Sequence, residues 1–283
     1  MTRRSLRSDA TITGVGLFTG ADCTVRLAPA EPSQGIVFVR SGTRVPARTD
    51  AIAHQPVHPA LADHAPPNTT LRAGNTTVAT VEHLMSALAG LGVTDATVEL
   101  DGPEIPIGDG SARAFVDAIR VAQVYDLDAN IQPVVVRDEI VVRDGDAWIR
   151  AQATEHGTSY AYELDYGPGS PIEAQSAAWA GDADDYAQHI APARTFSFRD
   201  EAQAMRSLGL FARFTPQSLL VIGADGPIDN AWRFDNEPAR HKLLDLIGDL
   251  ALVGAPVMAQ ITAHKSGHAL NHEMARRLAA LTR

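Results

Sequence analysis

The first half of the chain combines short alternating segments with two stretches of helical periodicity. Apolar residues recur at helical spacing over residues 81–91, where Thr80 is placed to cap the helix. A second helix is predicted after Ser111, which can cap it. The proline-rich residues 54–68 predict an irregular segment. Alternation of polar and apolar side chains predicts four strands, at residues 10–20, 23–27, 35–39 and 93–100.

The second half shows the same mixture of patterns. Its most strongly periodic segment is predicted to be a helix at residues 237–253, and shorter helices are predicted at residues 199–208 and 271–281, the last with Asn271 as its cap. An Asp-Gly pair at Asp144 favours a tight hairpin turn. Strands are predicted at residues 134–142, 147–153, 160–166, 218–222 and 257–263.

The length of the chain and one aperiodic segment predict two domains. The chain has 283 residues, more than a single domain usually contains. Residues 125–133 show no clear periodicity and are predicted to form a linker. We therefore expect an α+β protein with domains at residues 1–126 and 127–283, each combining strands with about two helices. No sequence repeat relates the two halves.

Composition and charge exclude one class of partner. Hydrophobic residues make up 45% of the chain and charged residues 20%, as in ordinary globular proteins. The formal net charge is -10, whereas non-specific nucleic-acid binding needs a basic face. An anionic substrate would therefore be held by local Lys, Arg and His side chains and not by the overall field.

The cysteine content and the apolar runs indicate a cytoplasmic protein. Cys23 is the only cysteine, so an intrachain disulfide is impossible, and such a lone cysteine fits a reducing compartment. The longest apolar stretch, residues 250–261, is interrupted by Gly254 and Pro256 and is too short to span a bilayer. We expect no transmembrane segment.

Three residues far apart in the sequence offer donors for one metal ion. His241 and Asp245 are four residues apart on a predicted helix, so both side chains leave the same face. With His83 they supply two imidazoles and one carboxylate, which leaves a tetrahedral zinc ion one position for water. Taken alone, the His241–Asp245 spacing is also typical of a hydrogen-bonded surface pair.

Further polar residues suit proton transfer around such a metal. Glu82 and His268 are two groups that amide hydrolysis needs as base and acid. Asp249 lies one turn beyond Asp245 on the same helix and can orient a histidine ring. Lys242 projects to the side of this face, where it could neutralise a substrate phosphate. Together these residues indicate a metal-dependent hydrolase.

At these residues the chain closely resembles the zinc-dependent UDP-3-O-acyl-N-acetylglucosamine deacetylases of lipid A synthesis. The resemblance implies two domains of similar fold, each a small mixed sheet with two helices, with the helices sandwiched between the sheets and the site at the interface. It covers nearly the whole chain. The matching motifs lie at residues 14–17, 19–20, 80–92, 102–107, 109–111, 193–196, 240–250 and 266–271.

The resemblance also implies roles for individual residues. His83, His241 and Asp245 would bind Zn²⁺, although Fe²⁺ could occupy such a site, and Glu82 would be the general base. His268, oriented by Asp249, would be the general acid or electrostatic partner. The residues implied for the oxyanion and the substrate are Thr195 as oxyanion donor, Phe196 against the sugar, Lys242 near the diphosphate and Arg194 in substrate binding. The products would be acetate and the free glucosamine amine, and we expect a monomer acting on a small UDP-sugar.

Two departures from the family pattern bear on the substrate. Phe18 replaces the histidine of the usual Leu-His-Thr-Gly motif. Residues 211–216 replace a Gly-Gly-Ser segment along the acyl passage, and the bulky Arg213 and Phe214 could narrow that passage. One alternative is therefore the same chemistry on a different N-acetylglucosamine conjugate. Another is a non-catalytic relative in which zinc only tethers the domains, but Glu82 and His268 have no use in it.

Overall fold

The computed structural model describes residues 1–53, 56–61 and 67–281. The helices are α1 Glu82–Gly90, α2 Arg113–Ala122, α3 Ala183–Asp185, α4 Arg199–Ser207, α5 Glu237–Leu250 and α6 His268–Ala280. The strands are β1 Thr2–Leu6, β2 Ala10–Val15, β3 Asp22–Ala28, β4 Ile36–Arg40, β5 Thr43–Pro46, β6 Thr70–Ala73, β7 Thr76–Ala79, β8 Ala96–Leu100, β9 Val124–Asn130, β10 Val134–Val135, β11 Ile140–Asp144, β12 Ala147–Gln152, β13 Ser159–Leu164, β14 Gln175–Trp179, β15 Phe196–Phe198, β16 Leu220–Gly223, β17 Gly226–Pro227, β18 Val257–Met258 and β19 Gln260–His264.

Two five-stranded sheets share one topology. The first has the strand order β2-β3-β8-β4-β5 and the second β11-β12-β19-β13-β14. In each sheet a hairpin lies at either end. The strand that comes last in the chain among the five, β8 or β19, lies in the middle, antiparallel to one neighbour and parallel to the other. The mixed α+β class is confirmed. The structure also shows a repeat of topology between the halves that the sequence does not reveal.

Helices α1, α2, α5 and α6 lie between the two sheets, whereas α4 packs on β15 and β16. α2 packs on β2 of the first sheet, α5 and α6 pack on the second, and α1 contacts both α2 and α5. A Cβ atom on Gly248 would lie 2.1 Å from the backbone oxygen of Glu82, so α1 and α5 can cross this closely only because residue 248 is glycine. Their facing side chains, such as Leu84 and Leu244, are fully buried in one continuous apolar core.

The predicted linker at residues 125–133 is wrong for most of its length. Residues Val124–Asn130 form β9, which pairs antiparallel with β1. The two-stranded ribbon is held by backbone hydrogen bonds, so its side chains need no strong alternation of apolar and polar positions. β9 runs across the predicted boundary between residues 126 and 127, and the division into two domains stays a prediction.

Two predicted helix caps are also wrong, because tertiary contacts take the side chains. α1 begins at Glu82 with Val81 as its N-cap, while the hydroxyl of Thr80 donates to Glu104. α6 begins at His268, three residues before Asn271, whose side-chain amide donates to Asp249. The last strand of the second half is divided into β18 and β19.

Part of the segment predicted to be irregular, residues 54–55 and 62–66, lies outside the described residues. Its described part contains a short 3-10 turn at Pro59–Leu61. Among the helices that the structure describes, none combines the length and the apolar character needed to cross a bilayer.

Candidate active site

The side chains of His83, His241 and Asp245 converge where α1 crosses α5. The distance from His83 Nε2 to Asp245 Oδ1 is 3.6 Å, and that from His241 Nε2 to the same oxygen is 3.3 Å. The two imidazole rings are 5.0 Å apart, edge to face. All three residues are buried, and one ligand atom of each lies within 4.8 Å of the others. The structure thus brings these three predicted residues together.

The protonation states of His241 and Asp245 place two hydrogen-bond acceptors, an imidazole nitrogen and a carboxylate oxygen, opposite each other. Burial lowers the pKa of His241 to about 3, so the ring is neutral. Its Nδ1 lies 3.1 Å from the carbonyl oxygen of Ala193, to which it donates, so Nε2 carries the lone pair that faces Asp245. Burial by itself would raise the pKa of Asp245, but neighbouring cationic charge, including the Lys242 ammonium group 3.1 Å away, holds it well below its usual value. Asp245 Oδ1 has no hydrogen-bond partner among the described atoms.

A cation bound between these acceptors would remove the electrostatic repulsion between them. A carboxylate oxygen and an imidazole lone pair repel each other in a buried site, and burying such groups without partners is costly. Two imidazole nitrogens and one carboxylate oxygen are also a donor set that zinc and other divalent transition metals accept. The residues present therefore fit a metal ion.

Glu82 lies beside this cluster at the start of α1. Its carboxyl group is buried, and Oε2 accepts a hydrogen bond of 3.0 Å from the backbone N–H of Thr69. Burial raises the pKa of Glu82 to about 7, against the opposing effect of His268 and His83. A carboxylate that is fixed on one oxygen keeps the other for a reacting group.

His268 and Asp249 form a second buried pair. Asp249 Oδ2 lies 2.8 Å from His268 Nδ1 and 2.8 Å from Asn271 Nδ2, while Oδ1 accepts a 2.5 Å hydrogen bond from the Thr69 hydroxyl. Burial would lower the pKa of His268, but Asp249 outweighs it and raises the pKa to about 9. The imidazolium form is therefore stabilised at neutral pH, and Asp249 fixes the direction of the ring.

Two residues in this network, Thr69 and His272, were not recognised from the sequence, and Asn271 was assigned there only as a helix cap. Thr69 binds Glu82 through its backbone and Asp249 through its side chain. The Nε2 atom of His272 lies 2.8 Å from the Thr69 hydroxyl, and Asn271 donates to Asp249. The four-residue spacing of His268 and His272 on one helix could have indicated His272. No local pattern indicates Thr69, which precedes β6.

The predicted substrate-contacting residues lie around the same opening. The backbone N–H of Thr195 donates to Gly110, while its hydroxyl makes no hydrogen bond among the described residues. The ring of Phe196 is 6.4 Å from that of His241. Lys242 Nζ lies 5.9 Å from the centre of the Phe196 ring and 3.1 Å from Asp245 Oδ2. A substrate phosphate would therefore compete with Asp245 for this ammonium group.

Arg194 lies differently from the other predicted residues. Its side chain is buried and ion-paired with Glu237, with Nε 2.7 Å from Oε1. Its terminal nitrogens donate to Asn230 and to the backbone oxygen of Ala231. These partners occupy the guanidinium group, and they fix the backbone that carries Thr195. A direct contact of Arg194 with substrate stays a prediction.

A cavity of about 790 Å³ extends from Glu82 and His83. Its wall is mostly apolar and includes aromatic side chains, and the rings of Phe18 and Phe211 lie 5.6 Å apart. Such a cavity is suited to a ligand with a long apolar part. Charged side chains, among them Arg199, Glu201 and Arg206, also line it, and its apolar lining includes Leu17, Phe18, Ile107, Met205, Phe211, Phe214 and Leu219.

The prediction that Arg213 narrows the passage is wrong, whereas Phe214 does line the cavity. The Arg213 guanidinium points to the surface, where it donates to the backbone oxygen of Gly20 and, at 2.8 Å, to Asp22. A charged group gains more from solvent and a carboxylate partner than from an apolar wall. Phe18 is buried against this wall, as an apolar residue in place of histidine requires.

Comparisons with known proteins cover the full site. A family model described as UDP-3-O-acyl N-acetylglycosamine deacetylase matches residues 3–280. The protein named UDP-3-O-acyl-N-acetylglucosamine deacetylase from Myxococcus xanthus (strain DK1622) is 38% identical over 278 residues, which are 98% of this chain and 86% of the relative. Proteins of the same name from Nostoc sp. (strain PCC 7120 / SAG 25.82 / UTEX 2576) and Thermosynechococcus vestitus (strain NIES-2133 / IAM M-273 / BP-1) are 36% and 34% identical, over 100% and 98% of this chain and 100% and 94% of theirs.

Proposed function

The chain belongs to the UDP-3-O-acyl N-acetylglycosamine deacetylase family, and we propose that it removes the N-acetyl group from UDP-3-O-acyl-N-acetylglucosamine. Membership makes it an N-deacetylase of lipid A biosynthesis. The observation that carries the specific proposal is the convergence of His83, His241 and Asp245 beside Glu82, at one end of an apolar cavity. Cytoplasmic location and a monomeric state stay predictions.

We propose that His83, His241 and Asp245 hold Zn²⁺, with Fe²⁺ as the second candidate. When bound there, zinc would polarise the amide carbonyl and lower the pKa of water to about 7. Asp245 contributes the negative charge of the donor set, and the Ala193 carbonyl keeps the His241 ring in the orientation that presents Nε2.

The other side chains would carry the proton transfers. Glu82, held by Thr69, takes a proton from the attacking water through its second oxygen. The hydroxyl of Thr195 donates to the oxygen that becomes negative as the carbonyl carbon turns tetrahedral. His268, kept cationic by Asp249, donates a proton to the departing amine. The balanced reaction converts the amide and water into acetate and the amine in its protonated form.

The cavity supports an acylated substrate. Each buried methylene group contributes about 0.8 kcal/mol to binding, and the wall around Phe18 and Phe211 is apolar. Phe196 and Lys242 lie beside the three proposed metal ligands, where they would contact the sugar and the diphosphate. The aromatic wall, which departs from the family pattern, favours as a second candidate the same chemistry on a different N-acetylglucosamine conjugate.

The substrate proposal is tested by comparing UDP-3-O-acyl-N-acetylglucosamine with unacylated UDP-N-acetylglucosamine. We expect kcat/KM to be at least about 100-fold higher for the acylated compound, because burial of only about four methylene groups already contributes about 3 kcal/mol. Release of the free amine measures both rates. Equal rates would favour the second candidate, and no reaction with either compound would refute the substrate proposed first.

The pH dependence tests the role of His268. Asp249, Asp245 and Glu82 raise the pKa of His268 to about 9 against the effect of burial, and the His272 ring lies 6.2 Å away. Because the protonated ring is the acid, activity should fall as the pH rises through this pKa. In Asp249→Asn the main charge that raises the pKa of His268 is absent. The fall in activity on the alkaline side of the pH profile, the basic limb, should therefore move to lower pH.

A bound cation lowers the pKa of His268 in wild type and variant alike, so the shift between the two profiles remains. The measurement is kcat from pH 6 to pH 10 for wild type and Asp249→Asn. A matched control is Asp146→Asn, which removes an exposed carboxylate paired with Lys265 and should leave the limb in place. An unshifted limb in Asp249→Asn would contradict the assignment of His268 as the acid.

A further inference from the structure

Glu104 is a buried carboxyl group to which the reaction assigns no role. It lies within residues 102–107, one of the motifs noted in the sequence, and is completely inaccessible to solvent. Among the described residues it has no cationic partner. Instead, its oxygens accept hydrogen bonds from the backbone N–H groups of Phe18 (3.1 Å) and Thr19 (2.8 Å) and from the hydroxyls of Thr19 (2.7 Å) and Thr80 (2.9 Å).

Thr80 has an unusual backbone conformation. Its φ is +58°, a left-handed value that a β-branched residue adopts only when the surrounding structure enforces it. The hydroxyl donates to Glu104 Oε1 and accepts a 3.1 Å hydrogen bond from Asn68 Nδ2. Two partners on different segments therefore hold the side chain while the backbone reverses direction. Strained residues of this kind occur mainly at functional sites.

The strained residue lies two positions before Glu82, the first of the residues proposed for catalysis at the start of α1. Val81 donates its backbone N–H to the carbonyl oxygen of Thr69, and Thr69 donates its own N–H to Glu82 Oε2. Asn68, next to Thr69, is the residue that donates to Thr80. The segment before β6 and the start of α1 are thus linked at three successive points. A shift of Thr80 would move Glu82 and His83 together.

Glu104 also connects this point to the wall of the cavity. The same carboxyl group that accepts from Thr80 accepts from the N–H of Phe18, whose ring lines the cavity. The close approach requires glycine at residue 16, where a Cβ atom would lie 2.5 Å from Glu104 Oε2. The beginning of α1 and the cavity wall therefore share one acceptor.

We propose that Glu104 is a positioning residue: through its hydrogen bond to Thr80 it maintains the left-handed turn that places Glu82 and His83. The assignment to catalysis rests on the proposed function, whereas the placement of His83 can be measured without substrate. Glu104 touches neither the metal donors nor the reacting atoms in the described contacts, and it acts through Thr80.

Three substitutions of Thr80 separate positioning from packing. Thr80→Ser keeps the hydroxyl, Thr80→Val keeps the shape but loses the hydroxyl, and Thr80→Gly loses the hydroxyl but adopts φ +58° without strain. We expect Ser to be close to wild type and Val to lose about 10- to 100-fold in both kcat and metal affinity, as for other residues that orient metal ligands. Thr80→Gly should lose less of both kcat and metal affinity than Thr80→Val.

The expected order of cobalt affinity and of kcat, from highest to lowest, is therefore Thr80→Ser, then Thr80→Gly, then Thr80→Val. Cobalt affinity, measured by competition with a chelator that absorbs light, gives the order without substrate, and kcat gives it with substrate. If packing alone mattered, Val would be the mildest change and Gly the most severe, and that order would overturn the proposal. Equal losses of kcat in Val and Gly with unchanged cobalt affinity would also overturn it, because the hydroxyl would then act on substrate.

Glu104→Gln provides a second test should Thr80→Val not fold. The amide places an N–H group where an acceptor is needed, so cobalt affinity and kcat should fall as in Thr80→Val. Glu99→Gln is the matched control, because Glu99 is a half-exposed carboxylate of the same half, paired with Arg26, and should behave as wild type. Wild-type cobalt affinity in Glu104→Gln would refute the positioning role. If the wild-type protein itself lacks deacetylase activity, the proposed function fails while the cobalt measurement still decides the role of Glu104.

Discussion

Replacing Glu82 with glutamine should lower kcat by about 10²- to 10⁴-fold, the contribution usual for a positioned general base. Glutamine keeps the size of the side chain and can still accept the hydrogen bond from Thr69, but its amide cannot take a proton from water. The change should appear in kcat more than in KM, because the proton transfer occurs in the transition state. Release of the free amine at saturating UDP-3-O-acyl-N-acetylglucosamine measures it.

Two controls make the Glu82 result specific. Zinc content measured on the same sample shows whether the neighbouring His83 still binds metal, which we expect. Glu163→Gln changes a carboxylate at the surface, paired with His264, and should leave kcat unchanged. A Glu82→Gln protein that contains zinc and retains the full rate would show that another group is the base.

Removing the metal should abolish deacetylation and destabilise the protein. Without a cation, Asp245 Oδ1 has no hydrogen-bond partner among the described atoms, and the lone pair of His241 Nε2 faces it at 3.3 Å in a buried site. A ligand that binds only the folded state at about 1,000 times its Kd stabilises that state by about 4 kcal/mol. Incubation with a chelator should therefore lower the Tm by several degrees and reduce activity to background. Added Zn²⁺ should restore both.

The variant Asp245→Ala is the matched control for chelation. It lacks the charged donor, so its activity should be at background, and its Tm should not respond to chelator or to added zinc. This comparison separates loss of a specific ion from general effects of the chelator. Full activity of the metal-free wild type, with an unchanged Tm, would rule out a metal-dependent mechanism.

The part of the candidate site that lies on one helix could be predicted from the sequence. The spacing of His241, Asp245 and Asp249 places all three on one face of a helix, and α5 begins at Glu237 as the periodicity predicts. Helical geometry is local, so a sequence pattern determines it. The meeting of His83 with this face is a tertiary contact that helical spacing does not determine; the donor chemistry indicated it, and the resemblance to a known family implied it.

Contacts between distant segments account for what the sequence did not reveal. Thr80 has the residue type and position of a helix cap, yet Glu104 and Asn68 provide its partners and α1 begins without it. Thr69 lies before β6 in a segment with no regular pattern, and its importance comes from Glu82 and Asp249, of which the latter is 180 residues away in the chain. Local propensity does not encode such partners.

Backbone hydrogen bonding explains why the linker was predicted wrongly and why the repeated topology was not predicted from the sequence. The ladder between β1 and β9 is formed by backbone groups and leaves little trace in the order of side chains. The common topology of the two five-stranded sheets is likewise set by strand order, which different side chains can satisfy. Similar folds in the two halves therefore coexist with sequences that show no repeat.

The close crossing of α1 and α5 at Gly248 determines how a substrate can enter. The donors His83 and Asp245 sit on opposite sides of this crossing, so any hinge motion that parts the helices would also dismantle the cluster between them. A substrate therefore cannot enter by a motion that separates the two five-stranded sheets while a metal ion is bound at this site. We therefore expect the apolar part of the proposed substrate to enter along the cavity lined by Phe211, while α1 and α5 stay in contact.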